Sequence, residues 1–347
     1  MALPNIKSLS SAELSDFLAA HKQPKFRARQ IEEWLFVHRV HSFDAMTNLP
    51  KALRALLAES FSLEFPHIVA QQQSSDGTRK YLVEFSDGVS VETVGIPSTD
   101  DSRLTVCFST QAGCAMGCCF CATGLAGFTR NIDAGEMFDQ VALVSEDFGR
   151  RVTNVVAMGQ GEPFANYQQS LLALKRMNSE CGLGIGARHI TVSTCGIIKG
   201  IEKFALEPEQ FTLAVSLHSA LQQTRNEIMP GVSNVSLESL KESLKYYGDS
   251  TKRRPSLEYA LICDVNDTDE HLSALIDFCR GMLCHVNLIP LNPVDPADAS
   301  PTTMQPSTRL DYFESSLRKA GVEVSIRNSR GADIDGACGQ LKQRINK

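Results

Sequence analysis

Residues 113–128, GCAMGCCFCATGLAGF, hold Cys114, Cys118 and Cys121 in the spacing C-x-x-x-C-x-x-C. A loop this short can turn three thiolates toward one point. A structural zinc site closes with four ligands, and so does an ordinary cysteine-bound iron–sulfur cluster. Three thiolates on a [4Fe–4S] cube leave one iron without a protein ligand. The competing chemistry is a zinc loop completed by a distant His or Cys. Cys119 is out of register with the other three and is expected to face the fold, and Phe120 precedes the third ligand.

Two more thiols stand out by their surroundings. Cys107 lies in LTVCFS (104–109), where alternation puts Val106 and Phe108 on one face and Cys107 on the other. Cys338 lies in RGADIDGACGQ (330–340), among small residues and glycines that suit an exposed loop rather than a core. Cys181, Cys263, Cys279 and Cys284 carry no such signal and are expected to be buried structural thiols. Eleven cysteines at irregular spacing fit metal or thiol chemistry better than a disulfide framework.

The elements that must position these groups follow a repeating pattern. Strand patterns LTVCFS, TNVVAM (153–158), RHITVS (188–193), FTLAVSL (211–217), SLEYALIC (256–263) and CHVNLIPL (284–291) alternate with helical patterns, and VEVSIR (322–327) adds a short last strand. Strand–helix alternation at this spacing predicts parallel βαβ units and an α/β barrel that six units leave incomplete. Upstream, residues 12–60 read as helices, with Ile31, Trp34 and Leu35 at i, i+3, i+4. Residues 67–96 read as a three-strand meander turning at Asp76-Gly77 and Asp87-Gly88. The polar residues 98–102 are the expected linker. This divides the chain into an accessory region, 1–97, and a core, 98–347.

Barrel sites form after the C-terminal ends of the strands. After the first strand comes the cysteine loop, and after the second comes Gly159-Gln160-Gly161-Glu162-Pro163, where glycines let backbone approach a ligand and Glu162 offers a carboxylate. Ser193 ends the third strand, Ser216, Leu217 and His218 the fourth, and Asn292 and Pro293 the sixth. Each has an ordinary structural use as cap, turn former or buried histidine. Their recurrence at one end of four strands predicts a shared pocket.

Net charge is −6, which argues against a strongly basic nucleic-acid binder, yet basic residues outnumber acids at both ends of the chain. That distribution permits RNA. No apolar run reaches the length of a membrane span, and the first residues lack a basic head followed by an apolar stretch, so a cytoplasmic location is expected.

The set VETV (91–94), GCAMGCCFCATG, GQGEP, TVST, SLH, LIPLNP and GADIDGACGQL resembles the RlmN/Cfr family of radical S-adenosylmethionine (SAM) RNA methyltransferases over residues 25–343, most closely its bacterial RlmN branch. The resemblance implies an incomplete (β/α)6 radical SAM barrel with a small N-terminal accessory region that contacts RNA. It implies one [4Fe–4S] cluster on Cys114, Cys118 and Cys121, and two SAM molecules per turnover in a pocket including Gly161, Glu162, Ser193, Ser216, Leu217, His218 and Asn292. It further implies a monomer that takes an electron from a flavodoxin or ferredoxin. The substrate would be an adenosine of 23S rRNA, methylated on carbon 2, and the adenosine beside the anticodon of some tRNAs. The alternative is the Cfr-type reaction on carbon 8 of the same rRNA adenosine.

The family's chemistry uses thiols because these purine carbons are electron-poor and do not attack a SAM methyl directly. Cys338 is implied as the methyl carrier, Glu92 as the acceptor of the ring proton, and Cys107 as the thiol that attacks the Cys338 sulfur and leaves a transient disulfide. The departures from the family's pattern are small: Gly95 and Leu291 replace bulkier residues, and two extra residues separate Glu92 from Cys107.

Overall fold

The amphipathic helices of the first sixty residues form α1 (Ser11–Ala20), α2 (Phe26–Glu32), which continues as a wider turn over Glu33–Val37, and α3 (Lys51–Ser60). Of the expected stripe, Ile31 and Leu35 are buried and Trp34 packs partly against the same core. The computed structural model describes residues 3–292 and 304–341, which leaves Pro293 outside the described residues. This helical region is fastened by charge: Lys7 pairs with Asp139, and Arg176 donates to the Lys7 and Leu9 carbonyls. All three charged groups are buried, where an unpaired charge would cost several kcal/mol, about the worth of a whole core contact.

The meander is β1 (His67–Gln73), β2 (Arg79–Glu84) and β3 (Ser90–Pro97), paired antiparallel as predicted. Residues 98–102 do not separate two sheets. Ser98 N–H donates to the Arg103 carbonyl at 2.9 Å, and the turn carries β3 back to pair antiparallel with β4 (Leu104–Cys107). Meander and core therefore share one ten-stranded sheet. Its remaining strands, named in chain order, leave a gap for a hairpin of β5 (Gln111–Gly113) and β6 (Phe128–Asn131) that holds the cysteine loop and α4 (Ala122–Ala126).

Six βα units follow the barrel pattern. After β4 comes α5 (Ala134–Phe148), then β7 (Asn154–Ala157) with α6 (Tyr167–Asn178), and β8 (Ile190–Thr194) with α7 (Ile198–Phe204). Next are β9 (Thr212–Ser216) with α8 (Gln222–Ile228) and α9 (Leu237–Thr251), β10 (Ser256–Leu261) with α10 (Asp269–Cys279), and β11 (His285–Pro290) with α11 (Leu310–Lys319). The parallel order is β4-β7-β8-β9-β10-β11, and β12 (Glu323–Ile326) adds in parallel at the far edge. The chain is thus an incomplete (β/α)6 barrel extended by antiparallel strands at one side and β12 at the other.

Alternation across β3 and β4 sorts side chains between helix layer and barrel interior. Thr93 hydrogen-bonds Gln140 on α5 at 2.8 Å, and Gly95 lies on the same face. A Cβ at Gly95 would come within 2.6 Å of the Phe148 ring and 2.7 Å of Val144, so this departure from the family pattern is matched by bulk on α5. The opposite face carries Glu92, Val94 and Ile96, with Val94 beside Cys107 and Ile96 beside Thr105 in the register. That face looks toward the site.

Candidate active site

The cysteine loop is closed at its neck by the hairpin. Cys114 N–H donates to the Gly127 carbonyl at 2.8 Å, and a Cβ at Gly113, whose φ is +73°, would lie 2.0 Å from that oxygen. Only glycine lets the two strands cross this closely. A second wall comes from α8 and the turn after it: Cys119 N–H donates to the Ile228 carbonyl at 3.1 Å, and Gly231 N–H donates to Met116 O at 2.9 Å. Cys119 packs partly in the apolar cluster of Ile228, Met229 and Val232, while Cys114, Cys118 and Cys121 line one cavity.

This cavity, with the open solvent at its mouth, spans about 1030 Å³ of empty space. Burial pushes the Cys114 thiol up to about 11 and the Cys118 thiol well above its usual range, with Cys121 adding to both. Such thiols release their protons to a bound cation, and metal binding is coupled to that release. Among the described residues no three Cys, His, Asp or Glu groups converge on a point that would hold a single metal ion. Cys114, Cys118 and Cys121 line one chamber, and three thiols so placed can each meet a different iron of a cube. The residues present fit a [4Fe–4S] cluster.

Residues at the strand ends line the same cavity, including Gly161, Glu162, Ser193, Ser216, His218 and Asn292. Leu217 does not: alternation turns it into the core, where it is fully buried, while its neighbours face the chamber. Glu162 faces the cavity but spends its carboxylate inside the fold. One oxygen accepts from Cys195 N–H at 2.7 Å and the other from Phe164 N–H at 2.9 Å, which ties the end of β7 to the end of β8. The ligand-facing polar groups at this turn are therefore backbone as much as side chain.

His218 has φ +53° and accepts at Nδ1 from Ala260 N–H at 2.9 Å. Burial, with the nearby Arg225 charge, lowers it to about 3, so the ring is neutral in the fold. Below the ordinary value of 6.5 the unfolded chain binds a proton that the native ring refuses, and this loss of stability grows as pH falls toward the folded value. Between pH 7.5 and 5 His218 is expected to account for about 2 kcal/mol of lost stability. His218→Asn tolerates the left-handed backbone and removes the titration. Urea denaturation of both proteins at both pH values checks this: an equal acid loss in the variant would refute it.

A second cavity shares Met158, Ile289, Asn292, Arg327, Cys338 and Leu341 with the first and extends to Cys107, Ile96 and Thr105. Cys338 is exposed, and its exposure is toward these two chambers. Cys107 faces the second chamber; burial and the Cys338 sulfur together push it up to about 12. Arg327 opposes that shift in both thiols and stands 3.8 Å from Glu258. Glu92 lies on the chamber side of β3 but is not among the lining residues; its carboxylate is 3.2 Å from Lys80 Nζ, and both are buried.

The Cys338 loop is held from two sides. Toward the cysteine loop, Ala122 N–H donates to the Gly339 carbonyl at 2.8 Å, Thr123 Oγ1 to Leu341 O at 2.6 Å, and Asn292 Nδ2 to the Cys338 carbonyl at 3.2 Å. Toward the meander, the β1–β2 turn grips its start. Asp76 pairs with Arg330 at 3.0 Å and accepts from Gly331 N–H at 3.1 Å. Asp333 accepts from Ser74 Oγ at 2.5 Å and Ser75 N–H at 3.1 Å, and Lys80 Nζ donates to Asp335 O at 3.3 Å. Asp333→Ala is expected to speed hydrogen exchange at the Ile334 and Gly336 amides several-fold, leaving exchange in β7–β10 unchanged. Unchanged exchange at both amides would show that the turn does not hold the loop.

Sequence reasoning missed Arg327, Glu258 and Met158, which have no motif signature and reach the cavities only through sheet closure. It also missed the β5–β6 hairpin, whose only local signal was the pair of flanking glycines. Cys279 and Cys284 are buried as expected, whereas Cys181 and Cys263 are partly exposed because they fall in connections rather than in packed elements.

Comparison with known proteins agrees with this geometry. Residues 4–63 match the ribosomal RNA large subunit methyltransferase N-terminal domain and residues 108–279 the radical SAM superfamily. A probable dual-specificity RNA methyltransferase RlmN of Geobacillus kaustophilus is 45% identical over 99% of this chain and 94% of its own length. One from Clostridium tetani is 41% identical over 99% and 97%. The crystal structure of a radical SAM methyltransferase from Sphaerobacter thermophilus superposes with a TM-score of 0.87 at 44% identity, covering 97% of this chain and 99% of that one. With full-length identity of this order, the cysteine loop and the second thiol pair in one barrel, the chain belongs to the RlmN family of radical SAM RNA methyltransferases.

Proposed function

We propose that this enzyme methylates carbon 2 of an adenosine in 23S rRNA, and of the adenosine beside the anticodon in some tRNAs, through a methyl carried on Cys338. The observation that carries this reading is the position of Cys338 at the junction of two chambers, one shared with the three cluster thiols and the other with Cys107. Cys114, Cys118 and Cys121 would hold a [4Fe–4S] cluster, which when bound would supply the electron for reductive SAM cleavage. Strand-end backbone and the side chains of Ser193, Ser216 and Asn292 orient SAM, and two SAM molecules serve each turnover, one as methyl donor.

Cys338 accepts the methyl as its thiolate; burial pushes this thiol above its ordinary range, and the Arg327 charge across the junction opposes that rise. Glu92 takes the ring proton, with Lys80 holding its carboxylate on the chamber side of β3. Cys107 attacks the Cys338 sulfur and frees the product. Residues 1–97 contribute RNA contacts, and a flavodoxin or ferredoxin supplies electrons to a monomer in the cytoplasm; no helix among the described residues is long and apolar enough to cross a membrane. The relatives above are RlmN proteins, which makes carbon 8 the less favoured position. Nucleoside mass spectrometry of rRNA and tRNA treated with the reconstituted enzyme tests the reading: 2-methyladenosine is expected, and 8-methyladenosine would overturn it.

A further inference from the structure

Arg225, on α8, is fully buried. Its Nη2 donates to the Cys195 carbonyl at 2.6 Å and to Ser216 O at 3.4 Å. Its Nε and Nη1 have no hydrogen-bond partner among the described residues, and no carboxylate is among the charges that act on it. A guanidinium carries five donors and stays charged, so burying one with no anion is strongly unfavourable unless an anion arrives later. Besides the buried His218 ring, the groups it interacts with electrostatically are the thiols of Cys195 and Cys118, the latter a proposed cluster ligand. The helix that carries it is the one whose last carbonyl holds the Cys119 amide, so the cation is tied to the back of the cysteine loop rather than to the open cavity.

A [4Fe–4S] cube of core charge 2+ held by three thiolates has a net charge of 1−, and one-electron reduction makes it 2−. We propose that Arg225 is the fixed counter-charge of this cluster, a positioning residue that favours its assembly and eases its reduction from behind the loop. A cation in a low-dielectric wall stabilises each added negative charge more than water would. The apolar cluster of Ile228, Met229 and Val232 around the loop keeps that wall dry. Its role is therefore toward the metal group and not toward SAM or RNA. The inference rests on the cluster reading given above.

The test uses the full chain reconstituted anaerobically with iron and sulfide, as wild type, Arg225→Lys, Arg225→Gln and Arg225→Met. Cluster reduction by a graded series of one-electron donors, followed by the spectrum of the reduced cluster without SAM, reads the potential. The neutral variants are expected to hold at least tenfold less reduced cluster at a fixed potential, which is about 59 mV for one electron. Arg225→Lys should stay near wild type. Equal potentials in all four proteins would overturn the proposal. Where a neutral variant loads poorly, the gain in melting temperature on adding iron and sulfide decides: a smaller gain than in wild type supports the counter-charge. An equal gain would show that Arg225 only braces the fold. A wild-type protein that takes up no iron and sulfide would instead refute the cluster reading itself.

Discussion

Cys107→Ala is expected to accumulate protein covalently joined to RNA, whereas Cys338→Ala should give neither a methylated protein nor an RNA product. The contrast follows from where the two thiols lie. Cys338 is exposed at the junction of both chambers, and Cys107 faces only the second. Methyl loading needs the carrier alone. Release requires a thiolate to attack the Cys338 sulfur, and without it the bond between carrier and product has no route to exchange. The block should be near complete in both variants, but at different stages. A denaturing gel with labelled RNA separates them: normal product with no crosslinked species from the Cys107 variant would reduce that residue to a strand thiol.

Replacing Cys114, Cys118 or Cys121 with alanine should abolish cluster binding and SAM cleavage, while Cys119→Ala keeps both. The three line the chamber; Cys119 instead has its Sγ 3.5 Å from the Ile228 carbonyl and packs against the apolar wall. Losing one of three thiolates leaves two irons without protein ligands, and few such cubes persist in water. Truncating Cys119 removes only a small, partly buried group, at about 1 kcal/mol of stability. Iron and sulfide counts on the four variants check this. A cluster lost from the Cys119 variant and retained in one of the others would reverse the ligand assignment.

Both results also bear on how the two thiol systems are linked. Ala122 follows the last cluster cysteine directly, and its N–H holds the Gly339 carbonyl beside Cys338. The cysteine loop thus forms part of the seat of the Cys338 loop, whose thiol is the proposed methyl carrier. Loss of the cluster is therefore expected to loosen the Cys338 loop from one side, as loss of Asp333 loosens it from the other.

Much of this architecture could be read along the chain. Strand and helix periods are local, and so the meander, the six βα units and β12 follow from alternation and i, i+3, i+4 spacing. Cysteine spacing is local too, which is why the sequence could set Cys114, Cys118 and Cys121, which line one chamber, apart from Cys119, which packs against the apolar wall. Even the facing of Cys107 and the exposure of Cys338 followed from their immediate neighbours. What only the tertiary structure decided is pairwise and distant. The β1–β2 turn meets the Cys338 loop more than 250 residues away in sequence, and residues 98–102 fold the meander onto the barrel sheet instead of separating it. Arg327, Glu258 and Arg225 look like any other charged residues in the sequence. Their meaning depends on what is buried beside them, because the energy of a charge is set by its partners and its distance from water, and closure of the sheet determines both.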